Sequence, residues 1–190
     1  MVDKGEPYTR ITKLLSDGQI REGAEALANE TASLPRPVLL ECVGNLHFYK
    51  REFPEAVSKY EEAMNSDVDY DVARYHYLIG VQHERQGDYV EAFKRYQAAI
   101  EIEPIFVDSY VELGGLLVKV GDYEGALTCY TDALKLNRAD LRNFSNRVHV
   151  LQLLCSRDSA QYSDEYFAAL SDLEIARERL PGVDESASWW

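Results

Sequence analysis

A period of 34 residues constrains the fold of this chain more than any other feature of its sequence. Residues 73–106 align without a gap on residues 107–140, and seven aligned positions are identical. The identical pairs are Gly80/Gly114, Gly87/Gly121, Asp88/Asp122, Tyr89/Tyr123, Ala92/Ala126, Tyr96/Tyr130 and Ala99/Ala133. Small and aromatic residues dominate these pairs, as they do where two helices pack closely. The repeat therefore predicts an array of similar helical units.

Each unit predicts a helix, a break and a second helix. Gly87 can adopt the left-handed backbone conformation that ends a helix, and Asp88 is a good N-cap for the next one. Pro104 ends the second helix because the residue before a proline is pushed out of helical geometry. The first helix carries a stripe at helical spacing, formed by His76, Ile79, Gly80 and His83.

These residues resemble the tetratricopeptide repeat (TPR) family, whose pattern is W-x2-L-G-x2-Y…A-x3-F…P. Residues 73–106 read His76-x2-Ile79-Gly80-x2-His83…Ala92-x3-Tyr96…Pro104, and similar copies occupy residues 37–72 and 107–140. The resemblance implies an all-α fold, a right-handed α-solenoid of TPR helix-turn-helix pairs. Three clear repeats and degenerate N- and C-terminal units are expected, with about ten helices in five pairs.

The predicted organisation is a single TPR array over residues 1–182. A degenerate unit at 5–36 precedes the three clear repeats, and a degenerate unit at 141–182 follows them. The last unit contains a polar insertion, Ser156–Ser163, that the family pattern lacks. Degenerate end units are typical of solenoids because they have a neighbour on one side only. Residues 183–190 are expected to form a C-terminal tail.

Composition narrows the classes of partner. The chain has 190 residues with 33 acidic and 20 basic side chains, a net charge of −13. Nucleic acids and anionic membranes attract a surplus of lysine and arginine, so neither is an expected partner. No apolar run approaches the length of a membrane span, no signal segment is recognisable, and the three cysteines form no CxxC pair. We expect a cytoplasmic protein.

The resemblance also implies a binding surface, because the first helix of each pair lines the concave face of TPR arrays. Translating the outward stripe of one first helix by the repeat gives the predicted groove residues. They are Glu41, Asn45, Phe48 and Tyr49; Arg74, Tyr77, Val81, Glu84 and Arg85; Asp108, Val111, Val118 and Lys119; and Arg142 and His149.

This groove combines apolar anchors with balanced charge. Packing within a helix pair does not require Phe48, Tyr49, Tyr77, Val81 or Val111. Four basic and three acidic residues accompany them. A peptide or helix with apolar anchors and a few charges fits such a surface. In the alternative, Phe48 and Tyr49 pack against the loop to the second helix.

The expected function is therefore a non-enzymatic protein-protein interaction module, an adaptor or scaffold that binds a partner peptide or helix in its concave groove. Two alternatives remain open. One is a dedicated chaperone or co-chaperone that holds a client, resembling the TPR chaperones of type III secretion. The other is a structural protein that self-assembles.

The carboxylate clamp of TPR co-chaperones is incomplete in this sequence. Asn45 occupies one clamp position, but Leu78 stands where the next repeat requires asparagine. Val111 and Gly115 offer no polar clamp in the following unit. A clamp for a heat-shock-protein carboxylate is not expected.

No pattern of residues predicts catalysis, a cofactor or a metal site. His47, His76 and His83 occupy positions where the family has aromatic residues, so they are expected in the core. The segment 67–71 lacks the glycine and the final glutamate of a calcium loop.

Trp189 and Trp190 stand out at the end of the chain, because two tryptophans present a large apolar surface to water. Packing back on the last helix pair or disorder would account for them. In the sharper hypothesis, they anchor a partner or another copy of the chain.

Overall fold

The computed structural model describes residues 4–66 and 72–179. These residues form ten α-helices and no strand: α1 Gly5–Ser16, α2 Ile20–Glu30, α3 Arg36–Tyr49, α4 Phe53–Met64, α5 Val72–Gln86, α6 Tyr89–Ile102, α7 Val107–Val120, α8 Tyr123–Leu136, α9 Leu141–Arg157 and α10 Ser159–Arg179. Consecutive helices pack as five pairs, α1 with α2 through α9 with α10. The predicted number of helices and their pairing are confirmed. Trp189, Trp190 and the segment 67–71 lie outside the described residues.

The chain divides into two compact units, and the boundary falls between Pro104 and Ile105. Helices α1 to α6 belong to the first unit and α7 to α10 to the second. This boundary coincides with the end of a repeat, where Pro104 follows the last turn of α6. The right-handed sense of the whole array stays a prediction.

The predicted signals at the helix ends are present. Gly87 and Gly121 both have positive φ, 82° and 84°, which a residue with a side chain adopts only with strain. The carboxylates of Asp88 and Asp122 then accept hydrogen bonds from the backbone N–H three residues on, at 3.3 and 3.0 Å. These contacts satisfy backbone donors that a helix start leaves without partners.

A glycine against a tyrosine ring joins the two helices in each clear repeat. The glycine lies in the first helix, and the tyrosine, fully or almost fully buried, lies in the second. A Cβ added to the glycine would lie 2.5–2.9 Å from the ring, closer than real Cβ atoms approach. The pairs are Gly44 with Tyr60, Gly80 with Tyr96 and Gly114 with Tyr130. The absent side chain therefore creates the space that the ring fills.

The polar insertion at Ser156–Ser163 is helical over most of its length. Helix α9 continues through Arg157, and α10 begins at Ser159. Asp158 alone separates them, with extended backbone, and its carboxylate accepts from Gln161 N at 3.1 Å. The additional residues therefore lengthen the last helix pair, and α10 reaches 21 residues where α6 and α8 have 14.

Two adjacent glycines of α7 allow a matched test of the contact between the Gly114 backbone and the Tyr130 ring. We expect Gly114→Ala to lower the free energy of unfolding by about 1–3 kcal/mol, because its Cβ would overlap the buried Tyr130 ring. In Gly115→Ala the Cβ would lie 3.7 Å from the Tyr130 hydroxyl, an ordinary contact. That variant should keep its stability or gain up to about 1 kcal/mol from helix propensity. Urea unfolding followed by circular dichroism compares them, and equal stabilities would contradict the proposed role of Gly114.

Candidate functional site

The predicted groove residues of the first unit lie on α3 and α5. On α5, Tyr77 and Val81 are one turn apart and partly exposed, and Arg85 is exposed one turn further along. The Tyr77 ring centroid lies 6.2 Å from that of the buried Tyr96. The structure therefore brings an apolar pair and a cation onto one face of α5.

In the two clear repeats of the first unit, the buried tyrosine also positions a polar groove residue. Tyr96 donates its hydroxyl hydrogen to Glu84 Oε2 at 2.7 Å, and Tyr60 donates to Asn45 Oδ1 at 2.7 Å. A buried hydroxyl needs a hydrogen-bond partner, and here the first helix provides it. The sequence contained a signal for this contact, because the family pattern has phenylalanine where this chain has tyrosine.

Glu41 is the groove residue whose environment differs most from the expectation. Its side chain has no exposed surface. Tyr8 donates to Glu41 Oε1 at 2.7 Å, Arg74 Nε donates to the same oxygen at 3.1 Å, and Lys4 pairs with Oε2. Arg74 Nη2 also reaches the Tyr8 hydroxyl at 3.3 Å. Glu41 therefore joins α1, α3 and α5 and is not available to a partner in this structure.

Charge balance keeps this buried cluster ionised. Burial alone would raise the pKa of Glu41, but Lys4 and Arg74, together with hydrogen bonds from Lys4 and Tyr8, hold that pKa below its usual range. Burial and the neighbouring Glu41 carboxylate raise the pKa of Tyr8, so its hydroxyl stays protonated as a donor. Glu41 thus stabilises the packing of the helices, although it was predicted to line the groove.

Phe48 and Tyr49 have different environments at the end of α3. The Phe48 ring lies 5.0 Å from Tyr49 in an edge-to-face arrangement and 6.2 Å from Phe53, the first residue of α4. Phe48 thus packs against the start of the second helix, whereas the alternative interpretation of the sequence placed it, with Tyr49, against the loop to that helix. Tyr49 remains 37% exposed.

The groove residues of the second unit lie on α7 and α9. Val111 and Val118 are partly exposed, whereas Arg142 and His149 are exposed, as are Asp108 and Lys119. Arg142 binds the carboxylate of Asp140 with two nitrogens, at 3.0 and 3.2 Å, and Asp140 also caps α9. This pairing fixes the guanidinium beside the start of α9.

The three histidines at family aromatic positions are partly buried, as predicted. His47 Nδ1 lies 2.7 Å from Glu52 Oε2, and His83 Nδ1 lies 3.5 Å from Asp88 Oδ2. Burial lowers the pKa of His76, and the nearby Arg95 lowers it further, which favours the neutral form of that ring. No group of three or more metal-ligating side chains occurs within residues 4–66 and 72–179. In that same part of the chain, no helix is both long enough and apolar enough to cross a membrane.

Two parts of the chain, residues 44–104 and 107–140, match family models described as tetratricopeptide repeat, and together they make up half of its length. The chain belongs to the tetratricopeptide repeat family. With its ten described helices in pairs, it is an all-α TPR solenoid. This membership supports a protein-interaction module.

Several solved structures are similar to this chain. MamA matches with a TM-score of 0.67 and 15% identity over 88% of this chain and 94% of MamA. A second MamA structure has a TM-score of 0.65 and 16% identity over 90% and 91% of the two chains. The first TPR of Spaghetti (RPAP3), bound to the HSP90 peptide SRMEEVD, matches with a TM-score of 0.57 and 18% identity over 63% of this chain and 94% of that chain. These likenesses concern the fold. No curated protein matches the sequence.

The Glu41 cluster has a testable pH dependence. We expect Glu41→Gln to lower the free energy of unfolding by about 2–3 kcal/mol at pH 7, since it leaves two cations without their shared carboxylate. The folded-state pKa of Glu41 is below its ordinary value of 4.5, so its stabilisation is present above that pH and is lost as pH falls through the folded-state pKa. The difference between wild type and variant should therefore shrink below about pH 4.5.

Glu62→Gln is the matched control, because Glu62 pairs with Arg36 and Lys59 on the surface and its loss should change stability little. Urea unfolding at several pH values measures both variants. Equal effects of the two substitutions at pH 7 would contradict the role of Glu41.

Proposed function

We propose that this chain is a non-enzymatic, cytoplasmic adaptor or scaffold that binds a peptide or helix of a partner protein on the inner face of its first helices. Membership of the TPR family supports protein binding as the function. Within the first unit, the face of α5 supports the mode of binding.

The observation that carries this proposal is the set of side chains on α5. Tyr77 and Val81 form a partly exposed apolar pair that can bury one anchor of a partner. Glu84 is fixed beside them by Tyr96, so a polar contact there loses little conformational entropy. Arg85 is exposed and makes no ion pair within the described residues, which suits a carboxylate on the partner.

The mode of binding differs from the recognition of a terminal carboxylate. The amide oxygen of Asn45 already accepts from Tyr60, and Leu78 has no polar atom to offer in the next repeat. Apolar anchors on α5 therefore provide the main contacts. The charges beside them determine orientation more than affinity.

Substitution of the α5 face tests the site. We expect Tyr77→Glu/Val81→Glu to abolish capture of a stoichiometric partner from native lysate, because a carboxylate replaces each apolar anchor. Val90→Glu is the matched control, since Val90 is 69% exposed in the first turn of α6, where glutamate is tolerated. Circular dichroism checks that the double variant stays helical, and Arg85→Glu is a second, milder variant at an exposed position.

The captured partner is then titrated against each purified variant to measure its affinity directly. A partner that binds the double variant as well as wild type would place the site elsewhere. Binding of many unfolded clients, with no stoichiometric partner, would favour a chaperone.

The peptide SRMEEVD provides a separate test, because it is bound in the structure of the RPAP3 TPR. We expect no saturable binding of the labelled peptide to this chain in fluorescence anisotropy, since Leu78 stands where the clamp requires its second asparagine. The RPAP3 TPR is the positive control. Micromolar binding that is lost on Asn45→Ala would show that a clamp exists after all.

A further inference from the structure

A second groove lies in the second unit, on the side of its second helices. It separates the C-terminal halves of α8 and α10 and has a volume of about 700 Å³. Its inner wall includes Leu134, Phe144 and Ala176, which are buried or partly buried. Ile175, Arg138 and Arg179 are exposed at its rim. We name this feature the α8/α10 groove.

The repeat register shows how the helices beside this groove differ from their counterparts in the first unit. In the first unit, Glu61 of α4 and Arg95 of α6 join neighbouring second helices with an ion pair of 3.1 Å. The register is counted from the alanine of the A-x3-F pattern in each second helix. In this register, Thr131 of α8 is equivalent to Glu61, and Asp172 of α10 is equivalent to Arg95. Threonine and aspartate cannot form an ion pair, and both residues line the groove.

Asp172 instead pairs with Arg147 of α9, at 3.4 Å. The side chain that would reach across to α8 is therefore directed to the helix between them. The space between α8 and α10 remains accessible.

The groove is basic in a chain that is acidic overall. Four basic side chains and one carboxylate line it, whereas the chain has a net charge of −13: Lys135, Arg138, Arg147 and Arg179, with Asp172. Lys135 is engaged by Asp132 and Arg147 by Asp172. Arg138 and Arg179 make no hydrogen bond or ion pair with any residue in 4–66 or 72–179. Among the described residues, two exposed guanidinium groups without a partner thus lie beside apolar surface.

We propose that the α8/α10 groove docks an acidic segment of a partner protein that carries an apolar anchor. The anchor packs against Phe144, Ala176 and the 43% exposed Ile175. Carboxylates on either side of the anchor pair with Arg138 and Arg179. Arginine suits this task because its planar group binds a carboxylate through two hydrogen bonds. The site lies on different helices from the α5 face, so it provides a second and separate contact.

Charge complementarity selects this occupant. The overall charge of −13 repels an acidic peptide from most of the surface, so local cations determine where such a segment binds. A nucleic acid would need more unpaired cations than the two on this rim.

The probe is a short fluorescein-labelled peptide with a central leucine-tryptophan pair flanked by aspartates, titrated against the full chain at low salt. A control peptide carries asparagines in place of the aspartates. We expect saturable binding of the acidic peptide, weakened about tenfold by Arg138→Glu/Arg179→Glu. Arg10→Glu/Lys13→Glu changes the net charge equally at exposed positions of α1 and should leave binding unchanged. Ile175→Ser should weaken the binding of both peptides because it removes apolar surface from the rim of the groove.

Five outcomes would overturn the proposal. The acidic peptide does not bind, the asparagine peptide binds equally well, or both charge-reversal variants lose the same affinity. In the fourth, binding appears only after Trp189→Ala/Trp190→Ala, and the occupant is then the end of this chain. The last outcome concerns a second copy of this chain as the occupant of the groove. If sedimentation gives the Arg138→Glu/Arg179→Glu variant a lower mass than wild type, the proposal is also overturned.

Discussion

The contact between a glycine and a tyrosine ring is the constraint on which each clear repeat depends. Because the glycine has no side chain, the ring of the paired helix fits against the backbone of the first helix. This fit sets the separation of the two helices and the direction of the tyrosine hydroxyl. In the first unit that hydroxyl reaches Asn45 or Glu84 on the groove side. The same contact therefore determines both the packing of the core and the orientation of these surface residues.

The Glu41 cluster shows that a degenerate end unit can still make specific contacts with the repeats that follow it. Tyr8 contributes a hydroxyl to a carboxylate 33 positions away in the sequence, and Arg74 reaches the same carboxylate from α5. A buried carboxylate costs solvation free energy, and only several simultaneous donors offset that cost. The cluster thus joins three first helices through one side chain and removes Glu41 from the binding surface. In the first unit, the available surface lies further along, on α5.

The sequence predicted the parts of the fold that local chemistry determines. Gly87 and Asp88 specify the turn between α5 and α6, and the period of the pattern specifies the number of helix pairs. The burial of Glu41 could not be predicted, because Lys4 precedes the repeat pattern and its partner is 37 positions away. The helical course of Ser156–Ser163 could not be predicted either, for a different reason. A repeat pattern has no place for an insertion, and helix propensity alone does not fix where α9 ends.

Residues outside the family pattern decide what the shared backbone can bind. Glu61 and Arg95 join two second helices with an ion pair, whereas Thr131 and Asp172 occupy the equivalent positions beside an open groove. The pattern leaves both positions unspecified, so substitution there does not disturb the glycine and tyrosine contacts that hold each pair. Substitutions at such positions can therefore change the surface between second helices without changing the fold. Function in such an array is determined at positions that the repeat itself leaves free.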